Sequence, residues 1–221
     1  MGKHSRQVVG LDIGSTKVSA VVGEVTSEGE LEIIGIGSRP SKGIRKGVIV
    51  DAKSTVNAIL KAVEDAEMMA GTRIDAVYVG VGGGQVEGLT TEVSMELATK
   101  EVTPREIQQV IEMARSQTPS EQYETLHVVP IDYRLDEEVG LSNPIGRMGT
   151  KLGVCAQVIT ASVPAIEALM KVLDQAKLAV QEIIAQPLAS ARAVLTPEER
   201  DMGVALLDIG GGTTDLVVYG A

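Results

Sequence analysis

The stretch Leu207-Asp208-Ile209-Gly210-Gly211-Gly212-Thr213-Thr214-Asp215 decides the fold, because a shorter version of it, Leu11-Asp12-Ile13-Gly14-Ser15-Thr16-Lys17, stands near the start of the chain. Each copy ends an apolar strand on an acid, turns on glycine and resumes on hydroxyls. A glycine lacks Cβ, so its backbone can approach a phosphate closely. In the first copy Gly14 gives that approach, Ser15 and Thr16 give hydroxyl donors, and Lys17 gives a point positive charge for a phosphate. Asp12 suits a magnesium ion held through water, since magnesium sheds its waters reluctantly. In the second copy Asp208 mirrors Asp12, Gly210, Gly211 and Gly212 offer free backbone N–H groups, and Thr213 and Thr214 offer hydroxyls. One copy alone reads equally well as a plain β-turn with a surface lysine. Two copies facing each other form a clamp for a phosphate chain and its metal.

Other chemistries fail on their spacing. There is no Gly-x-x-x-x-Gly-Lys-Ser/Thr loop. In Gly80-Val81-Gly82-Gly83-Gly84-Gln85, Gln85 occupies the third glycine position of the dinucleotide fingerprint. His4 and His127 are too far apart in sequence to suggest a metal pair, and His127 reads as a structural residue of an alternating strand. The single Cys155 cannot form an internal disulfide, which fits a reducing compartment. Its run Val154-Cys155-Ala156-Gln157-Val158 makes it a small core residue.

The 221 residues suffice for one large or two small domains. Hydrophobic residues at 44% and charged residues at 23% describe an ordinary globular chain. With four Tyr and no Phe or Trp the core must be aliphatic. A net charge of −10 argues against a broad nucleic-acid surface, so no nucleic-acid partner is expected. No run approaches the ~18 apolar residues of a membrane span. The start, Met1-Gly2-Lys3-His4-Ser5-Arg6, lacks the apolar stretch of a secretory signal and breaks the myristoylation pattern at Arg6. A cytoplasmic location is the default.

Along the chain, β-like segments at 7–13, 17–25 and 31–37 are joined by tight turns and predict an antiparallel meander. A loop over 38–47 carries Arg39, Lys42, Arg45 and Lys46. A helix starts after Asp51, a good N-cap, with the stripe Val56, Ile59, Leu60, Val63 and Ala66, and ends at Gly71. A buried strand at 76–81 exits through the flexible Gly82-Gly83-Gly84. The texture then changes to an alternating strand over 86–97, a helix opened by the capping box Thr103-Pro104-Arg105-Glu106, and strands at 125–135 and 151–161 separated by a Gly/Pro loop. This β-α-β-β block of about 80 residues reads as a small inserted domain. Ser162 caps a helix with Ile166, Leu169, Met170 and Leu173 on one face. A strand at 178–184, a short helix at 187–195 and a solvated turn at Thr196-Pro197-Glu198-Glu199 lead to the second hairpin.

The two hairpins resemble those of the actin, sugar-kinase and heat-shock-chaperone superfamily. Within it the chain is similar to the FtsA family of actin-like bacterial division proteins. The residues that narrow the resemblance are Gly43-Ile44-Arg45-Lys46-Gly47-Val48-Ile49-Val50-Asp51, Asn143-Pro144-Ile145-Gly146 with Gly149 and Leu152, Val158-Ile159-Thr160-Ala161, and Gln186-Pro187-Leu188-Ala189-Ser190-Ala191. It implies an α/β fold: an actin-like, ribonuclease H-like first lobe (1–83 and 162–200), an inserted α+β subdomain of the SHS2 type (84–161), and the first hairpin of a second lobe (201–221). It also implies ATP and Mg2+ as cofactors, with Asp12 and Asp208 organising the metal, and Ser15, Thr16, Lys17 and 210–214 holding phosphates. Gln186 falls where related ATPases orient the attacking water; an amide is a poor base, so any hydrolysis is expected to be slow. It reads equally as an ordinary polar residue before a helix-starting proline. The implied partners are FtsZ and other division proteins, further copies in a filament, and the inner face of the cell membrane. The family's adenosine pocket, FtsZ-tail site and C-terminal membrane helix have no counterpart in these residues, so the chain is expected to be a fragment or a truncated relative, the fragment being favoured. A small-molecule kinase, or a chaperone-type, pilus or microcompartment ATPase of the same superfamily, stays as the alternative.

Overall fold

The computed structural model describes residues 6–118 and 120–220. Met1–Ser5, including His4, together with Pro119 and Ala221, lie outside the described residues. Contacts divide the chain into two units. One comprises the described residues through Gln85 and from Pro164 onward; the other is Val86–Val163.

The first unit is built on a five-stranded sheet. Strands β1 (Arg6–Ile13), β2 (Lys17–Val25) and β3 (Leu31–Pro40) form the expected antiparallel meander. The later strands β6 (Ala76–Val81) and β11 (Ala179–Ala185) add parallel to β1, giving the order β11-β6-β1-β2-β3. Helix α1 (Ala52–Ala70) opens on Asp51, whose carboxylate accepts from the Ser54 N–H, and closes on Gly71 at φ 67. Its buried face is Thr55, Ala58, Ile59, Ala62, Val63 and Ala66. The expected stripe is therefore rotated: Leu60 is exposed and small residues replace it. The cause is β3. A Cβ on Gly37 would lie 1.8 Å from the Ala62 carbonyl oxygen, and one on Gly35 would lie 2.6 Å from that of Ala66. Where β3 crosses, helix and strand meet backbone to backbone, and the helix presents only alanines, Ala62, Ala66 and Ala70, to those glycines. Helix α3 (Val163–Gln175) buries Ile166, Leu169, Val172 and Leu173, while Met170 is exposed, contrary to the expected face. The core joining these elements is aliphatic, as the composition demanded.

Two expected loops carry more structure than the sequence suggested. β3 runs on to Pro40, and a ribbon, β4 (Ile44–Arg45) and β5 (Val48–Ile49), turns through Lys46 and Gly47, both at positive φ. The turn at 196–199 is a full capping box opening a short helix, α5 (Pro197–Asp201). Before it lies α4 (Gln186–Val194), and after it the hairpin β12 (Val204–Ile209) and β13 (Thr214–Tyr219), a two-stranded sheet of its own.

The second unit is an antiparallel sheet in the order β7-β10-β8-β9. Its strands are β7 (Val86–Glu96), β8 (Tyr123–Leu135), β9 (Glu138–Leu141) and β10 (Lys151–Ser162). β9 was expected only as loop. Helix α2 (Pro104–Arg115), opened by the Thr103/Glu106 capping box, contacts β7, β8 and β10 and contributes Val110 and Ala114 to a core with Leu152, Val154 and Ala156. Cys155 does not belong to that core. It lies on the other face of β10 beside Glu92 and Asp132, half-buried, where burial and those carboxylates raise its thiol pKa.

Candidate functional site

The two sequence copies fold into the same turn. In the first hairpin the Gly14 N–H donates to the Lys17 carbonyl at 2.9 Å; in the second the Gly210 N–H donates to the Thr213 carbonyl at 2.9 Å. Asp12 pairs with Ser19 across one hairpin, and Asp208 with Asp215 across the other. Neither Gly14 nor Gly210 has positive φ. Their glycine identity follows from crowding: a Cβ would stand 3.0 Å and 3.2 Å from the carbonyl that closes its own turn.

The turns also touch each other. A Cβ on Gly211 would fall 1.7 Å from Thr16 Oγ1, and one on Gly212 would fall 2.6 Å from Ser15 Oγ. Ser15 Oγ in turn accepts the Gly47 N–H at 3.0 Å, so the β4–β5 turn props the first loop. Thr213 packs its methyl group against Gly83, where a Cβ would come within 2.5 Å. The Gly83 N–H donates to Asp215 Oδ1 at 2.9 Å. Gly82 and Gly83 are thus less a flexible exit than a close approach, while Gly84 has open space around it. A Cβ on Gly80 or Gly82 would strike the Gln186 side chain, which lies over the end of β6.

Both acids are held by α4. Gln186 Nε2 donates to Asp12 Oδ1 at 2.7 Å, and Ser190 Oγ donates to Asp208 Oδ2 at 2.7 Å. Asp12 keeps an exposed edge, yet the protein packed around it pushes its carboxyl above the ordinary 3.8; Lys17 and the Gln186 amide pull it down, and Asp208 pushes it up. Two carboxylates that feel each other beside a lysine make a place where a divalent cation relieves repulsion and a phosphate finds a counter-charge. Among the described residues no cluster of three or more metal-ligating side chains exists. Magnesium keeps several of its waters and takes one or two carboxylates. The donor set fits magnesium in that way, and the turn N–H groups, hydroxyls and Lys17 fit phosphate. A cleft of about 280 Å³ adjoins the turns, lined by Gly14, Ser15, Gly47, Gly82, Gln186 and Thr213.

The structure therefore brings together Asp12, Gly14, Ser15, Thr16 and Lys17 with Asp208 and Gly210 to Thr213, and adds Gln186; Thr214 begins β13 with an exposed side chain. Sequence reasoning gave no role to Asp215, Gly47, Gly82, Gly83 or Ser190. The four-residue spacing of Gln186 and Ser190 was a visible signal of a shared helix face. Nothing local announced the glycine contacts. Among the described residues no helix is long and apolar enough to cross a membrane.

Comparison with known proteins gives the frame. Residues 83–160 match a family model described as "SHS2 domain inserted in FTSA". The cell division protein FtsA of Pseudomonas aeruginosa is 40% identical over 217 residues, covering 98% of this chain and 52% of the relative. FtsA of Escherichia coli is 37% identical over 212 residues, covering 96% and 50%. The chain spans about half the length of the curated relatives it matches. Among solved structures, a PilM-PilN type IV pilus biogenesis complex aligns with a TM-score of 0.69 at 20% identity over 96% of this chain and 57% of that one. The ethanolamine utilization protein EutJ from Carboxydothermus hydrogenoformans aligns with a TM-score of 0.50 at 16% identity, over 97% and 47%. These likenesses carry the fold, an actin-like α/β architecture. With the SHS2 match at 83–160 and 37–40% identity running almost end to end, the chain is similar to the FtsA family over about half the length of its proteins.

Proposed function

We propose that this chain is the nucleotide-gripping part of an actin-like cytoskeletal adaptor of bacterial cell division, binding the phosphates of ATP with Mg2+. The observation that carries the reading is the pair of equivalent turns in contact, each followed by hydroxyls and preceded by an acid. Gly14, Ser15, Thr16, Lys17, Gly210, Gly211, Gly212, Thr213 and Thr214 bind phosphate oxygens. Asp12 and Asp208 organise the metal, whose chemistry is to neutralise phosphate charge. Gln186 gives its N–H to Asp12, and its carbonyl end orients water without serving as a strong base, so turnover is at most slow. In this reading residues 1–83 and 162–200 are the first lobe, 84–161 the inserted subdomain, and 201–221 the opening hairpin of a second lobe.

The wider role is proposed for the parent protein: self-association into filaments and attachment of the FtsZ ring to the inner face of the cell membrane at the division site. Similarity to FtsA proteins over almost the whole chain supports it.

Calorimetric titration of the chain with ATP and magnesium, beside Asp12→Ala, tests the site. Micromolar binding by the native chain and its loss in the variant is the expected result. Equal binding by both removes the acid from the site. No binding by either defeats the claim that these residues grip the nucleotide unaided.

A further inference from the structure

We infer that Ser190 is a positioning residue for the second acid, and that one face of α4 sets both acids together; the inference rests on the reading of Asp12 and Asp208 as the pair that holds a divalent cation. Gln186 and Ser190 stand four residues apart in α4, so their side chains rise from the same helix face. One reaches Asp12 Oδ1 and the other Asp208 Oδ2, both at 2.7 Å. The acids sit on β1 and β12, which belong to different sheets with no strand pairing between them. α4 contacts β6, β11, β12 and β13, so it packs against both sheets. It is the ruler that spaces the two carboxylates.

A serine inside a helix usually returns its proton to a carbonyl one turn back. Ser190 instead donates its hydrogen bond to the Asp208 carboxylate. A carboxylate on a strand is free to rotate about two bonds, and each rotation moves its oxygens past the cation's water shell. Fixing Oδ2 with a hydroxyl carried on a helix leaves Oδ1 aimed for one geometry. Gln186 does the same for Asp12 from the opposite oxygen, so each acid keeps one oxygen for the cation's waters. Partners of this kind, behind the groups that face a metal, change its affinity 10- to 100-fold.

The test measures Mn2+ binding to the chain with ATP, read from the electron paramagnetic resonance of free Mn2+, and ATP binding without metal by calorimetry. Ser190→Ala is expected to weaken Mn2+ about tenfold, with metal-free ATP binding unchanged, and Ser190→Thr to restore it within about twofold. Ser190→Cys keeps the volume without a strong donor and gives the same loss should the alanine variant not fold. Asp208→Asn abolishes Mn2+ binding. Unchanged Mn2+ affinity in the alanine and cysteine variants, with loss in Asp208→Asn, overturns the role of Ser190 alone. It would leave the hydroxyl as a docking contact between helix and hairpin. No Mn2+ binding by the native chain, or native binding by Asp208→Asn, overturns the cation reading and this inference with it.

Discussion

The first hairpin and the second hairpin share a turn and differ in what covers them. Leu11 is 2% exposed and Leu207 is 60%; Ile13 is 8% exposed and Ile209 is 76%. Ala20 and Val22 are buried where Leu216 and Val218, their counterparts on the second hairpin, are exposed. In the first hairpin the buried face is the one opposite Asp12, against α1 and the neighbouring core. In the second, the half-buried face is the one that carries Asp208, against α4. One motif thus sits in two environments. The turn geometry survives the change because short-range hydrogen bonds and glycine crowding fix it. The burial does not survive, because burial belongs to the neighbours. A two-stranded hairpin is marginal alone, and the second is held by α4, by Thr213 against Gly83 and by the Asp215–Gly83 bond.

The sharpest way to break this comparison is a matched pair of truncations. Leu11→Ala should cost about 3 kcal/mol in urea unfolding, the usual penalty for a core leucine. Leu207→Ala should stay within about 0.5 kcal/mol, as an exposed substitution does. Equal costs would mean that the two hairpins are packed alike.

A smaller effect tests the contact between the turns. Gly211→Ala places a methyl group on Thr16 Oγ1 and should destabilise by about 1 kcal/mol, the low end of overpacking. Thr16→Ala should remove most of that penalty in a double-mutant cycle. Additive effects would mean that the turns do not meet.

The smallest effect concerns charge. The folded-state pKa of Asp12 is raised, so its proton is a source of stability below 3.8 that is lost as pH rises through the folded value. Asp12→Asn, a neutral mimic, should match the native melting temperature under acid and exceed it at neutral pH. A gap that narrows towards neutral pH would reverse the sign of the shift.

Much of this was legible in the chain. The α1 caps, Asp51 and Gly71, and the Thr103 capping box are local signals, because backbone groups at helix ends find their partners within a few residues. The meander and both acid–glycine turns follow from alternation and glycine. Helical spacing puts Leu60 in the α1 stripe, but the glycines of β3, distant in sequence, set which helix face comes close. Cys155 leaves the core for a related reason. Alternation says that neighbours point to opposite faces, and only the position of α2 says which face is the core. The turn at 196–199 was underestimated although its capping box was readable.

By itself the sequence determined the long strands, the ends of α1 and α2, the repeated acid–glycine–hydroxyl turn and the aliphatic nature of the core, since each depends on residues close together in the chain. Tertiary structure alone decided that Gly211 and Gly212 meet Ser15 and Thr16, that Gly83 meets Thr213 and Asp215, and that α4 spans both acids. Those contacts join segments more than a hundred residues apart or lying in different sheets. No local propensity encodes such a distance; only the packed chain does.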